Sequence, residues 1–153
     1  TDWHCPFEEI KIGTGRKLKD GCDVAILSLG PIGNTVAEAI HLFEEEEKAK
    51  GISVTIAHYD MRFLKPIDHN ILKEVGEKFT KVITIEDGCV NGGLGSAVLE
   101  YMSDHGFTPQ VIRLGIPDRF IEHGSIAQLQ ELVGMDCQAI VKQLRFISSH
   151  HSL

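Results

Sequence analysis

The stretch 58–68 reads His-Tyr-Asp-Met-Arg-Phe-Leu-Lys-Pro-Ile-Asp and follows an apolar segment at 53–57. This order predicts a buried strand that leads through a charged turn into a helix. Pro66 disfavours helical backbone at Lys65, and Asp68 is placed to cap the helix that follows. The carboxyl ends of strands in α/β proteins carry ligand and partner contacts. The charges in this turn are therefore candidates for function, although an ordinary solvated loop would carry them too.

Four segments have the continuous apolar character of strands that are buried on both faces. They are residues 24–29, 54–57, 82–85 and 111–114, and helical patterns separate them. Buried strands that alternate with helices are typical of a parallel sheet covered on both sides. The Gly-containing segment 7–18 predicts an additional antiparallel edge strand. We therefore expect an α/β fold, a three-layer αβα sandwich with a mostly parallel sheet of about five strands.

The helices have recognisable ends. Asp68 is expected to begin the second helix, and the third is expected to follow the glycines at 92–95. Ser125 and Gln128 form a capping-box pattern for a short helix, and Asp136 precedes a final one.

The acidic run 44–47 lies at the end of the first predicted helix. Glu44 with Lys48, and Glu46 with Lys50, have the spacing of stabilising i,i+4 pairs. The run is therefore interpreted as a solvated helix end and not as an acidic binding segment.

The 153 residues are sufficient for one domain with a substantial core. We expect a lead-in arm and edge strand at 1–22, the domain proper at 23–148 and a disordered tail at 149–153. Trp3 is expected to be exposed in the arm, as in a segment cut from an interface.

Composition excludes several classes of function. A net charge of −7 argues against nucleic-acid binding, which needs clustered Lys and Arg. No apolar run approaches the length of a membrane span, and no leader is expected. The four cysteines are scattered, which suits reduced thiols in a cytoplasmic protein better than disulfides or a zinc site. The histidines are too dispersed to indicate a metal site.

The glycines at 92–95 raise the possibility of an anion site, because helix N-termini present free N–H groups. The stretch matches neither the dinucleotide nor the P-loop pattern, so close helix packing is the favoured interpretation.

Other polar residues are expected at the same sheet edge. Glu86 and Asp87 end the third strand and point to opposite faces, so they cannot share one ion. One is expected to bind the glycine-loop amides and the other to face a partner. Asp118–Gly124 adds an acid, a base and an imidazole. No nucleophile accompanies them, so these residues indicate a domain that docks against another domain.

Four segments also resemble one family in order and spacing. Residues 60–68 (DMRFLKPID) are similar to the D-x-R-F-x-K-P-L-D signature in the C-terminal domain of 1-deoxy-D-xylulose-5-phosphate synthases. Residues 23–30 (DVAILSLG), 84–96 (TIEDG…GGLGS) and 115–124 (GIPDRFIEHG) resemble further segments of that domain. Residues 6–17 resemble its lead-in. Asp87 in place of Glu and Ile67 in place of Leu are conservative departures.

The resemblance implies an enzyme that joins pyruvate to glyceraldehyde 3-phosphate with loss of CO₂, using thiamine diphosphate and Mg²⁺. In that family the cofactor motif, the activating Glu and the phosphate-binding Arg lie in upstream domains. The resemblance therefore implies no catalytic, cofactor or metal residue in this chain. Its implied partners are the upstream domains of the same polypeptide and a second subunit of a homodimer.

The expected role of the chain is domain packing. The residues expected to dock or to order loops are Asp60, Arg62, Lys65, Asp87, Gly92, Gly93, Gly95, Asp118, Glu122 and His123. Arg62 is expected to pair with a carboxylate and fix its turn. Two alternatives remain: the C-terminal part of an E1-type 2-oxoacid dehydrogenase β-subunit, and a stand-alone regulatory module that binds a small anion at 92–95.

Overall fold

The structure is a computed structural model that describes His4 and residues 8–149. Five strands and five helices follow one another in this part of the chain. They are β1 (Arg16–Lys19), β2 (Val24–Leu29), α1 (Gly33–Ala49), β3 (Ile56–Asp60), α2 (His69–Lys78), β4 (Lys81–Cys89), α3 (Leu94–Asp104), β5 (Gln110–Ile116), α4 (Ile126–Val133) and α5 (Cys137–Ser149).

The strands form one sheet in the order β1-β3-β2-β4-β5. The pairs β3–β2, β2–β4 and β4–β5 are parallel, whereas β1 runs antiparallel to β3. Helices α1 and α5 cover one face of the sheet, and α2 and α3 cover the other. The expected three-layer α/β fold with one antiparallel edge strand is confirmed.

Strand β2 shows why its apolar run is continuous. Val24 and Ile26 pack towards α1 and α5, while Ala25 and Leu27 pack towards α2 and α3. All four are completely buried, because each face of the sheet has its own helical layer.

Two of the predicted helix starts are also confirmed, whereas α3 begins at Leu94, inside the glycine stretch that it was expected to follow. The Asp68 carboxylate accepts hydrogen bonds from the backbone N–H groups of Asn70 and Ile71 at the start of α2. The capping box of Ser125 and Gln128 opens α4. Asp68 additionally accepts a hydrogen bond from Gly15 N–H at 2.9 Å, so the cap also holds the lead-in arm against α2.

The interpretation of the acidic run is wrong for Glu44 and Glu46, whereas Glu45 and Glu47 form local pairs with Lys48 and Lys50 at i,i+3 spacing. Neither expected i,i+4 pair forms; Glu44 instead binds Lys19 Nζ at 2.7 Å and Ile56 N–H at 2.9 Å. Glu46 pairs with Arg145 of α5. These carboxylates therefore attach α1 to the edge strand β1, to the start of β3 and to α5.

The bounds of three strands also differ from the prediction, and the strand expected at 111–114 is Gln110–Ile116. The strand expected at 54–57 is Ile56–Asp60, and the one expected at 82–85 is Lys81–Cys89. Residues 54 and 55 were expected in strand β3 but precede it. Thr55 instead donates hydrogen bonds from its N–H group and from Oγ1 to Asp23 Oδ2.

Some expectations fall outside the described residues. They are the exposure of Trp3 and the disorder of the tail beyond Ser149. The division of the chain at residues 22 and 149 stays a prediction. None of the helices in the described part is long and apolar enough to cross a membrane.

Candidate functional site

The charged turn after β3 is organised by Asp60. Its Oδ1 accepts a hydrogen bond from Arg62 N–H at 3.1 Å. Its Oδ2 accepts one from Arg16 Nε at 3.1 Å and lies 3.8 Å from Arg62 Nε. Asp60 therefore joins the edge strand β1 to the turn.

Arg62 adopts a left-handed backbone conformation, with φ of 55°, that is uncommon for a residue with a side chain. Its N–H hydrogen bond to Asp60 supports this conformation, and its guanidinium does face a carboxylate of the same domain. Whether Arg62 also docks another domain stays a prediction.

Substitutions at these two positions should have different effects in this chain. Asp60→Ala removes the acceptor for both arginines and should lower the free energy of unfolding by about 1–2 kcal/mol. Arg62→Ala keeps its backbone hydrogen bond and loses only a long, part-exposed ion pair, so it should cost under about 1 kcal/mol. Urea unfolding of both variants measures the difference.

The docking role of Arg62 needs the full polypeptide. If Arg62 contacts another domain, Arg62→Ala should lower activity, dimerisation or melting temperature there by more than its small effect on this chain. No change in all three would refute the docking role.

A buried carboxylate organises the glycine loop. Glu86, in the second half of β4, accepts a hydrogen bond from Gly95 N–H at 3.2 Å in the first turn of α3. A Cβ on Gly93 would lie 2.1 Å from Glu86 Oε2. Glu86 is nearly completely buried, whereas Asp87 is exposed. The expectation that one of this pair binds the loop amides is met by Glu86, which was not named in the docking set.

Gly95 brings α3 close to the sheet. A Cβ there would lie 2.7 Å from Thr84 Oγ1 and 2.7 Å from the Arg113 side chain. Arg113 Nη1 donates hydrogen bonds to Val90 O and Ser96 Oγ, and so holds the loop before α3. The glycines at 93 and 95 thus allow α3 to pack closely, which agrees with the interpretation favoured from the sequence.

The same geometry opposes an anion at this helix N-terminus. The Glu86 carboxylate already occupies the position beside the Gly95 N–H group, and a phosphate or diphosphate would meet its negative charge. The residues here therefore do not fit the diphosphate of the cofactor that the family resemblance implies.

Three of the expected docking residues come together at a second place on the edge. Asp87, Glu122 and His123 line a cavity of about 320 Å³ between α4 and the end of β5. Glu122 and His123 are exposed at this cavity. The structure therefore separates the expected docking set into a turn cluster around Asp60, a loop cluster around Glu86 and this cavity.

The remaining expected residues have fewer contacts. Lys65, Asp118 and Gly92 are exposed, and within residues 8–149 no ion pair involves Lys65 or Asp118. In the described part of the chain, no three His, Cys, Asp or Glu side chains converge as metal ligands would.

A buried polar pair at this edge was missed by the sequence analysis. Ser28 Oγ and His58 Nε2 are joined by a hydrogen bond of 2.9 Å, and both residues are almost fully buried. Burial lowers the pKa of His58 to about 4. His58 lies within β3 but directly follows the segment predicted as a strand, 54–57, and this adjacency was the one available signal.

Comparison with known proteins gives the family. Residues 13–140 match the family described as the transketolase C-terminal domain. The chain belongs to this family. This transketolase C-terminal domain is 54% identical over 143 residues to the 1-deoxy-D-xylulose-5-phosphate synthase of Bacteroides thetaiotaomicron, a match that covers 94% of the chain and 21% of the relative. It is 56% identical over 147 residues to the synthase of that name from Cytophaga hutchinsonii, covering 96% of the chain and 22% of the relative.

A solved structure supports the same fold. This transketolase C-terminal domain is 32% identical to a split-gene transketolase, an inactive beta4 tetramer, with a TM-score of 0.75. The match covers 97% of this chain and 46% of the other. The domain therefore spans about a fifth of the curated relatives and about half of the split-gene chain.

Proposed function

We propose that this chain is the C-terminal domain of a 1-deoxy-D-xylulose-5-phosphate synthase and serves domain packing and dimer assembly. The observation that carries the proposal is a match of 54% identity that spans 94% of this chain but 21% of the relative. The full enzyme would join pyruvate to glyceraldehyde 3-phosphate and release CO₂. Its product, 1-deoxy-D-xylulose 5-phosphate, would supply isoprenoid, thiamine and pyridoxal synthesis.

The chemistry of that enzyme is assigned to the other four-fifths of the polypeptide. Thiamine diphosphate would supply the carbanion chemistry, with Mg²⁺ on its diphosphate. In the domain proposed here, the carboxylate of Glu86 occupies the helix N-terminus that would suit an anion. The polar edge is instead suited to contacts with a neighbouring domain, because polar and charged groups set orientation at domain interfaces.

The unpaired cysteines of the described part of the chain support a cytoplasmic location. Cys22, Cys89 and Cys137 are all unpaired, which is typical of a reducing compartment. The net charge of −7 supports the absence of a nucleic-acid partner.

The two alternatives have less support. Curated relatives from Bacteroides thetaiotaomicron and Cytophaga hutchinsonii carry the synthase name, and their matches do not favour a 2-oxoacid dehydrogenase β-subunit. A regulatory anion module at 92–95 is opposed by the Glu86 carboxylate.

The proposal is tested on the native gene product. An antibody to this domain should detect a polypeptide several times larger than 16.9 kDa. That polypeptide should form 1-deoxy-D-xylulose 5-phosphate from pyruvate and glyceraldehyde 3-phosphate, while the 153-residue chain should not. A native band near 16.9 kDa, or a full polypeptide without this activity, would refute the proposal.

A ligand-binding measurement separates the domain from the whole enzyme. A ligand that binds only the native state raises its stability. Saturating thiamine diphosphate with Mg²⁺ should therefore raise the melting temperature of the full polypeptide and leave that of this chain unchanged. A large upward shift for this chain alone would place a cofactor site within it.

A further inference from the structure

Helix α4 and the loop before it expose an apolar surface that the described part of the chain does not cover. The Phe120 side chain is fully exposed, Ile126 is 75% exposed and Leu132 is 56% exposed. No residue of α4 is buried, unlike in α1, α2, α3 and α5. Large exposed apolar side chains that share one loop and the helix after it indicate an interaction site more strongly than scattered ones do.

The cavity of about 320 Å³ lies beside the same helix and shares Ile126 with this surface. Most of its lining is apolar, with Asp87, Glu122, His123 and Gln130 as the polar members. Its apolar residues are Ile116, Ile121, Ile126, Leu129, Val133 and Met135. An engineered apolar cavity of about 150 Å³ accepts benzene, so this space has room for one or two apolar side chains. Helix α4 is therefore packed incompletely against the sheet edge.

We propose that the Phe120–Leu132 surface is a two-sided anchor for another domain of the same polypeptide. In this arrangement Phe120 enters an apolar pocket of that domain. That domain in return places an apolar side chain in the cavity under α4. Aromatic side chains that fill pockets in this way dominate interface energies. The proposal rests on the proposed function, because it assumes that the chain is one domain of a longer synthase.

The length of the relatives supports this occupant. Curated relatives extend over more than four times the length of this chain, and the split-gene transketolase over about twice its length. Each therefore contains additional polypeptide that is covalently tied to the equivalent domain. Covalent connection gives such a segment a high effective concentration at the surface, which a separate molecule lacks.

The charges around the anchor fit an ordered interface. Asp118, Arg119, Glu122 and His123 surround Phe120 in sequence and are all exposed. An apolar centre with a polar, accessible rim is the usual anatomy of a protein interface. The expected docking residues Asp118, Glu122 and His123 thereby receive a common role as the rim of this anchor.

Photo-cross-linking in the full polypeptide tests the proposal. Phe120 is replaced by p-benzoyl-phenylalanine, which is also aromatic and would project from an exposed position. The expected result is a photoproduct of monomer mass in which position 120 is joined to a peptide outside residues 1–153. Leu132, replaced in the same way, provides a second labelling position if the first variant does not fold.

The controls separate the possible results. Ile52 is also half exposed but precedes β3, at the amino edge of the sheet, and the same label there should give no adduct with that peptide. A product of twice the polypeptide mass would show that a second copy covers the surface, and would overturn the proposal. No adduct, adducts confined to residues 1–153, or the same peptide labelled from position 52 would also overturn it.

Synthase activity is measured on the same preparation. Activity without the expected adduct would refute only the anchor, and the adduct without activity would refute only the proposed enzyme.

Discussion

Gly93→Ala is expected to lower the free energy of unfolding of this chain by about 3 kcal/mol. The new methyl group would lie 2.1 Å from Glu86 Oε2 and 2.4 Å from Glu86 Oε1, distances that no side chain tolerates. Glu86 is 4% exposed, so its carboxylate has little space into which it can move. Displacing it would break its hydrogen bond to Gly95 N–H and leave a buried charge without its partner.

The neighbouring glycine is the matched control. Gly92 has a φ of 76°, and a Cβ there would meet nothing within 4 Å. Gly92→Ala should therefore cost only the strain of left-handed backbone, about 1–2 kcal/mol. Gly93 has a φ of −91°, so its cost should come from the contact with Glu86 alone.

A double variant identifies the cause of the effect. Chemical unfolding of Gly93→Ala, Glu86→Ala and the pair together should show strong coupling, because shortening Glu86 removes the clash. Additive costs would mean that Glu86 is not the obstacle. A Gly93→Ala protein as stable as Gly92→Ala would contradict the packing role of this glycine.

Much of the fold was predictable because local signals and packing agree. The apolar run of β2 is buried on both faces, and Asp68, Ser125 and Gln128 cap helices as their spacing indicates. The antiparallel position of β1 was also expected. These features depend on periodicity and on local hydrogen bonds, both of which are present in the sequence itself.

The errors arose where distant residues decide the outcome. The spacing of Glu44 and Lys48 favours a local pair, but Glu44 instead meets Lys19 and the N–H of Ile56. These partners are brought to α1 by the sheet, and helix spacing alone contains no information about them.

The candidate site could be predicted only in part for the same reason, because distant residues determine its contacts. Alternation placed Glu86 and Asp87 on opposite faces, but β4 is buried on both sides, so its pattern did not indicate which carboxylate faces the glycine loop. The exposure of Phe120 was not predicted, because the exposure of an apolar residue depends on which distant residues pack against it. The sequence of residues 115–124 therefore did not indicate that this charged loop also exposes an apolar side chain.

The stability of the domain should fall in mild acid because of His58. This histidine is buried beside Ser28, and a Cβ on Gly33 at the start of α1 would lie 3.9 Å from its ring. Burial is the main cause that lowers its pKa from 6.5 to about 4, and the nearby Asp60 charge opposes this only in part. The positive end of the α1 dipole also disfavours an imidazolium there.

The sign of the effect follows from proton binding. Above pH 6.5 His58 is neutral in both states and adds no pH dependence. Between pH 6.5 and about 4, the unfolded state binds a proton that the native state does not, so the free energy of unfolding falls as the pH falls. The expected loss is about 1.4 kcal/mol per pH unit, or roughly 2 kcal/mol between pH 6.5 and pH 5.

Urea unfolding at several pH values, compared between variants, isolates this contribution from other titrating groups. His58→Gln retains a polar side chain but cannot take up a proton, so it should lose roughly 2 kcal/mol less than the wild type between pH 6.5 and pH 5. His41→Gln, at an exposed histidine of α1, should keep the wild-type pH dependence. If His58→Gln and the wild type lost stability in parallel, His58 would not be the buried group that makes the domain sensitive to acid.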